Sequence, residues 1–285
     1  MPQPILITSG VQAREKILAI QQQGLKVGLV PTMGALHEGH TSLVDAARRE
    51  CQFTVVSIFV NPAQFAPHED LAKYPRTLDA DLQLLAAHGA DLVFCPTAQE
   101  MYGGNFDTYV TPGKIAEVLE GVVRPTHFRG VATVVLKLFN LLPADIAYFG
   151  QKDYQQSLVI RHLVADLNVP IEIRVCPIIR ELDGLAKSSR NVYLSPDERR
   201  SAIVLSQAVQ KAEEHVRMGE RSAANIVRAM QTVIESVPGV QVNYIVVADP
   251  ETLADVTTIS GSAVALIAAR VGNTRLIDNT ILQVS

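Results

Sequence analysis

The sequence predicts an α/β protein, a parallel sheet with helices on both faces followed by a smaller α+β unit, on three observations. Short apolar, β-branched runs alternate with amphipathic segments up to about Arg180. Strand and helix in alternation imply parallel neighbours, because parallel strands need crossover connections. Beyond Arg180 the pattern changes to two long Ala-rich helical stretches and two more strands. The length, 285 residues, matches about two domains at roughly 150 residues each.

Taken in order, residues 26–30 read as a buried strand and 41–50 as a helix. Residues 53–60, FTVVSIFV, form a second strand with heavy β-branched content. Residues 77–88 carry Leu78, Leu82 and Leu85 at helical spacing, with Gly89 as a stop. Strands follow at 91–95, 146–149 and 171–176, and helices at 131–142 and 154–167. In the second half, Ser195-Pro196-Asp197-Glu198 is a strong helix start: a Ser N-cap, Pro in the first turn, and Glu at the capping-box position. Helices are expected over 196–218 and 222–236, then strands over 242–247 and 263–269. The link lies in 181–191, which divides the chain into domains 1–182 and 183–285.

Composition narrows the function. Hydrophobic residues are 48% and charged ones 19%, enough for a real core and unlike a disordered chain. The net charge is −4, which argues against a large basic surface for nucleic acid but leaves room for a local cationic pocket. Trp is absent and aromatics are 5%, a poor basis for a base-stacking platform. Cys51, Cys95 and Cys176 lie far apart with no CxxC pair, so they read as small buried hydrophobes. No apolar run approaches the ~18 residues of a membrane helix. The first ten residues lack a basic segment followed by an apolar one, so no signal peptide is expected and the cytoplasm is the expected location.

Three loops after predicted strands, and one in the link, carry the chemistry. Pro31-Thr32-Met33-Gly34-Ala35-Leu36-His37-Glu38-Gly39-His40 joins a strand to a helix start, whose free N–H groups and dipole suit an anion. It is neither HExxH nor GxGxxG nor a P-loop. Two hydrogen-bonded spacer histidines would be the plain alternative. Asn61-Pro62-Ala63-Gln64-Phe65 sets two amides around a ring, suited to a small polar solute. Gly150-Gln151-Lys152-Asp153 puts a lysine at a strand end, with Gln155 and Gln156 opening the next helix. A surface pair between Lys152 and Asp153 is the alternative there. Lys187-Ser188-Ser189-Arg190-Asn191 offers two hydroxyls and two cations that could clamp a polyphosphate, or an ordinary polar linker. All four falling at strand ends or at the domain link favours an active site between the domains.

Together these residues resemble the pantothenate synthetases, the ATP-dependent pantoate–β-alanine ligases. The likeness runs through PTMGALHEGH, VSIFVNPAQF, YPRTLDADL, HFRGVATVVLKLFN, FGQKDYQQ, DGLAKSSRN and RLIDN, over about residues 25–280. HxGH alone would indicate only the wider nucleotidyltransferase group; NPAQF with GQKDYQQ and SSRN is far more specific. The resemblance implies a Rossmann-like N-terminal domain that binds ATP and pantoate, and a smaller C-terminal lid. A cytoplasmic homodimer is implied, with ATP as co-substrate, Mg²⁺, and neither nucleic acid nor membrane as partner.

By the same resemblance, residues 33–40 contact ATP and His40 is the proton donor. Gln64 and Gln156 hold pantoate, with Asn61 nearby. Gly150, Gln151, Lys152, Asp153, Lys187, Ser188, Ser189 and Arg190 supply further ATP contacts, and Ile179 a backbone contact to adenine. His37, His40, Lys152, Ser188, Ser189 and Arg190 form the expected catalytic set. Many relatives have Glu at the position of Gln151, and Leu or Met at that of Lys187. Asp79 and Asp81 are candidates for Mg²⁺, but acids in a first helical turn are more simply explained by the helix dipole, so the metal ligands stay unassigned. Rival readings are another HxGH transferase, a nucleotide-binding regulatory module, and a nicotinamide dehydrogenase, which the missing GxGxxG weakens.

Overall fold

The computed structural model describes residues 2–67 and 69–284. The chain divides into two compact units: residues up to Gln151 with Gln155–Pro177, and Lys152–Tyr154 with the residues from Ile178 onward. The change thus falls between Pro177 and Ile178, ahead of the 182/183 position expected. The cause is a small hairpin: Arg180 bridges Ala186, and its guanidinium pairs with Asp278 far along the chain.

The first unit runs β1 (Ile5–Ile7), α1 (Gly10–Gln21), β2 (Val27–Thr32), α2 (Glu38–Glu50), β3 (Phe53–Ile58), α3 (Leu78–Ala87) and β4 (Leu92–Phe94). It continues through α4 (Ala98–Tyr102), α5 (Glu120–Val123), α6 (His127–Leu141), β5 (Ile146–Gly150), α7 (Tyr154–Asp166) and β6 (Glu172–Cys176). The six strands form one sheet in the order β1-β4-β3-β2-β5-β6, every pair parallel. The expected α/β class is therefore observed. Leu29, Val30, Val55 and Val56 are fully buried, as expected of central strands covered on both faces.

The chain steps from β2 to β3 and β4 on one side, then returns to place β5 and β6 on the other. That reversal puts the switch point of the sheet between β2 and β5, where open α/β sheets leave a crevice at the carboxyl ends of their strands. Gly28 in β2 keeps the layers tight: a Cβ there would lie 3.1 Å from that of Ala47 on α2 and 3.2 Å from the Tyr148 ring on β5.

The second unit contains α8 (Pro196–Ala202), α9 (Val204–Arg217), α10 (Ala223–Glu235), β7 (Val240–Ala248), β8 (Ser262–Val271) and β9 (Thr274–Gln283). Its three strands are antiparallel in the order β7-β8-β9. Leu205, Val209 and Ala212 of α9 and Ile226 and Met230 of α10 share a core with Ala263, Ala265, Ile267 and Ala269, alternate positions of β8. The start of α8 is the expected capping box: Ser195 Oγ accepts from Glu198 N–H, and the Glu198 carboxylate accepts from Ser195 N–H.

The single helix expected over 196–218 is two. Ile203 keeps helical dihedrals, but its carbonyl also accepts the Ser206 hydroxyl at 2.8 Å, which tightens that turn. Among the described residues no helix is long and apolar enough to cross a membrane.

Arg180 and Asp278 form the most buried ion pair of this unit among those described. Nη1 and Nη2 reach the two carboxylate oxygens at 2.6 and 2.9 Å, and Asp278 is nearly inaccessible. Arg180→Ala would leave that carboxylate buried without its cation, a loss of about 3–5 kcal/mol. Denaturant unfolding should register it; a loss below about 1 kcal/mol would show that Asp278 is held well enough by its other hydrogen bonds.

Candidate active site

The loop after β2 is built by three local devices. Gly34 has φ +81° and Ala35 φ +50°, a left-handed pair that only the glycine adopts without strain. The pair turns the N–H groups of Ala35 and Leu36 to the same side, where both donate to Asp81, at 3.1 and 2.9 Å. Asp81 is buried in the first turn of α3 and also accepts the Thr77 hydroxyl. It is thus the clamp of this loop, taking the N–H groups of both Ala35 and Leu36.

The third device is a capping box made of two histidines at the start of α2. Gly39 N–H donates to His37 Nδ1 at 3.1 Å, and His37 N–H donates to His40 Nδ1 at 3.3 Å. The rings lie with centroids 4.1 Å apart. A backbone N–H can only donate, so both Nδ1 atoms carry lone pairs, and each neutral ring holds its proton on Nε2. In each ring one nitrogen caps the helix and the other carries the N–H. Met33 precedes them, and Glu38 and Gly39 open the helix.

The loop after β3 is tied down throughout. Asn61 is almost fully buried and both ends of its amide are used. Nδ2 donates to Gln64 Oε1 at 3.0 Å and to Gly130 carbonyl oxygen at 3.1 Å, while Oδ1 accepts from Ala63 N–H and the Tyr102 hydroxyl. Gln64 Nε2 reaches Met33 Sδ at 3.2 Å, so this loop touches the histidine loop of the neighbouring strand. A Cβ on Gly130 would stand 2.6 Å from Gln64 Cα and closer still to the Ala63 carbonyl, so α6 and the loop meet backbone to backbone. Asn61, expected beside the substrate, is held in place by four hydrogen bonds within the fold.

After β5, Gly150 leads into a 3₁₀ turn, Gln151–Asp153, and then α7. The two glutamines that follow differ sharply. Gln155 is buried, and its amide accepts from Glu120 N–H and donates to the carbonyls of Ile115 and Val118, all at 2.8–3.0 Å. Gln156 is half-buried and has no such side-chain bond among the described residues.

In the second unit, Lys152 Nζ lies 3.7 Å from Asp153, too long for a hydrogen bond, and the Lys152 carbonyl accepts from Asn279 Nδ2 at 3.0 Å. Ser188 Oγ accepts from Arg190 N–H and caps the 3₁₀ turn Ser189–Tyr193. Lys187 N–H donates to the Ile179 carbonyl at 2.9 Å, so one lone pair of that carbonyl is taken. The linker reading of 187–191 is inadequate, because Asn191 is buried and bonded to Glu181 and Ala186.

Asn279, Asp278 and His127 escape a residue-by-residue reading of the sequence, and the clamping role of Asp81 escapes it too. Their signal is in the motifs YPRTLDADL, RLIDN and HFRG, to which local rules attach no role. Asp79 is exposed on α3, whereas Asp81 is buried and bonded to the loop. Among the described residues no cluster of three or more His, Cys, Asp or Glu could hold a metal.

Fold and loop define a class: an α/β protein with an HxGH loop at the switch point of a parallel sheet. The particular family follows from comparison. Residues 6–281 match the model of the family described as pantoate-beta-alanine ligase. The pantothenate synthetase of Moorella thermoacetica is 50% identical over 280 residues, 98% of this chain and 99% of its own. That of Roseiflexus castenholzii is 56% identical over 257 residues, covering 90% and 92%. A crystal structure of pantothenate synthetase from Thermus thermophilus superposes with TM-score 0.91 at 45% identity, over 97% of this chain and 98% of that one. A pantoate-beta-alanine ligase from Francisella tularensis, complexed with beta-gamma ATP and beta-alanine, gives 0.80 at 33% identity, over 98% and 97%. The chain belongs to the pantoate-beta-alanine ligase family.

One pH effect follows from the histidine beside this site. Burial and the neighbouring Arg124 cation push His127 from near 6.5 down to about 4, against the pull of its bond to the Gln64 carbonyl. A folded-state value below the unfolded one means that the unfolded chain takes the proton first. Stability is therefore full above about pH 6.5 and falls as pH drops toward 4, by on the order of 3 kcal/mol. His127→Asn should flatten this part of the stability–pH curve; an unchanged slope in the variant would contradict it.

Proposed function

We propose that the protein acts as an ATP-dependent pantoate–β-alanine ligase working through a pantoyl-adenylate. The reading is carried by the family match over residues 6–281, and the position of the HxGH loop at the carboxyl end of β2 is what the chemistry requires. A carboxylate resists attack by an amine, because its charge repels the lone pair and oxide is a poor leaving group. Adenylation converts one of its oxygens into part of AMP. The pantoate carboxylate attacks the α-phosphorus of ATP in line and expels pyrophosphate. The amine of β-alanine then attacks the acyl carbon, giving pantothenate and AMP.

Negative charge gathers on phosphate oxygens in the first step, so fixed N–H donors and cations aimed there lower the barrier most. Support for His37 and His40 comes from the capping box, which leaves N–H on Nε2 of each ring. Lys152, Lys187 and Arg190 are the cations assigned to the phosphates, with Ser188 and Ser189 as hydroxyl donors. Ile179 is assigned to adenine. Gln64 and Gln156 are assigned to pantoate, and the Gln156 amide, which makes no side-chain hydrogen bond among the described residues, supports its part in this. Asn61 is assigned beside them at the same end of the site, where hydrogen bonds to Gln64, Gly130 and Ala63 hold its amide in place. Mg²⁺ enters as MgATP, carried by the substrate's phosphates, for which one or two protein carboxylates usually suffice. The family resemblance extends this reading to a C-terminal lid, a homodimer and the cytoplasm.

Pyrophosphate release from MgATP should require pantoate, and AMP with pantothenate should appear once β-alanine is added. Release independent of pantoate would assign the loops to another substrate. His40→Ala and Lys152→Ala should each lower kcat about 100–1,000-fold, the loss typical of one oxyanion donor, without loss of fold. Activity within threefold of the unaltered protein would remove that residue from the mechanism. Gln64→Ala should weaken pantoate more than ATP in calorimetric titration, and equal loss for both would refute its assignment.

A further inference from the structure

The motif His127-Phe128-Arg129-Gly130 opens α6 and has no part in the chemistry above, yet it meets the substrate loop. His127 is buried, with Nδ1 3.0 Å from the Gln64 carbonyl and Nε2 3.1 Å from Arg124 Nη1. A guanidinium can only donate, so Nε2 must hold a lone pair and the ring proton must sit on Nδ1. That fixes one tautomer, and with it the direction of the bond: His127 Nδ1–H donates to Gln64. Arg124 is in turn gripped by Glu69, whose carboxylate takes Nε and, at 2.8 Å, Nη2. Burial alone would raise the Glu69 carboxyl, but the bonds and charge of Arg124 more than offset it and hold it below its ordinary range.

Glu69 Oε2 also accepts from Ala66 N–H at 3.1 Å. The chain Glu69–Arg124–His127 therefore closes on the loop at two points, the Gln64 carbonyl and the Ala66 amide, on either side of Phe65. Asn61 and the close approach at Gly130 fix the other side. We propose that His127, oriented by Arg124 and Glu69, is a positioning residue for the pantoate end of the site: its Nδ1–H holds the Gln64 backbone so that the Gln64 amide is presented in one orientation. This rests on the assignment of Gln64 to pantoate. The relay touches neither the reacting phosphate nor the acyl carbon, so its effect falls on one substrate. Loss of the bond is expected to raise the KM for pantoate about tenfold, the scale of one buried hydrogen bond, while the KM for ATP stays within about twofold.

Two isosteric variants separate the hydrogen bond from mere packing. Asn places an N–H donor where Nδ1 stands, whereas Gln reaches the position of Nε2 and offers nothing to the Gln64 carbonyl. Steady-state kinetics on purified His127→Asn, His127→Gln and Gln64→Ala, with each substrate varied in turn, make the test. The proposal expects His127→Asn within about threefold of the unaltered protein, and His127→Gln raised about tenfold for pantoate alone. Equal behaviour of Asn and Gln, or pantoate and ATP values moving together, would overturn it and leave a packing role. If Gln64→Ala leaves the pantoate KM unchanged, the assignment of Gln64 itself falls, and the positioning role falls with it. A failure of His127→Ala to fold does not affect the comparison, because Asn and Gln decide it between themselves.

Discussion

The site depends first on a constraint of topology: β3, β2 and β5 are adjacent and parallel, so their carboxyl ends open on one edge of the sheet. Neighbouring strands lie about 4.8 Å apart, which brings loops distant in sequence within side-chain reach. The histidine loop follows β2, the Asn61–Gln64 loop follows β3, and Gly150–Gln151 follow β5. The reversal of chain direction across the sheet between β2 and β5 prevents the crossover helices from covering that edge. A nucleotide's phosphates need such an edge, where the first turn of α2 supplies a positive dipole end.

Several polar groups around this edge serve to hold the site. Asp81, Asn61 and Gln155 resemble substrate ligands in type and position, yet each is already hydrogen-bonded to several groups of the fold. Their cost of burial is offset by the bonds they make, which gives rigid loops rather than adaptable ones. Rigidity of this kind is what electrostatic stabilisation of a transition state needs, since donors already in place do not have to reorganise as charge develops. The histidine pair shows the economy most clearly, with Nδ1 of each ring spent on helix capping and the proton consequently placed on Nε2.

Much of the fold is legible in the sequence because its central strands are continuous apolar runs and its helices carry caps. The strands β2 through β8 and the Ser195 capping box in particular follow local rules that the structure obeys. What local rules miss is short, irregular or polar. β1 has three residues and, among the described residues, pairs with β4 alone. α1 gives a weak signal because few of its residues are buried and Ser9 makes no side-chain cap. β9 is obscured because Asp278, Asn279 and Thr280 are buried and break the apolar alternation; Asp278 answers Arg180 from 98 positions away, which no local pattern reports. The loops of the candidate site are visible as motifs, whereas the partners that hold them, Asp81 and His127, lie tens of residues away and become evident only in three dimensions.

The account turns on an oxygen atom: the pantoate carboxylate must itself bond to the α-phosphorus. Pantoate labelled with heavy oxygen in both carboxylate positions tests this directly, with AMP, pyrophosphate and pantothenate recovered and weighed by mass spectrometry. The account predicts one labelled oxygen in AMP, one in the amide carbonyl of pantothenate, and none in pyrophosphate. Label in pyrophosphate, or AMP without label while pantothenate still forms, would contradict activation through an acyl-adenylate.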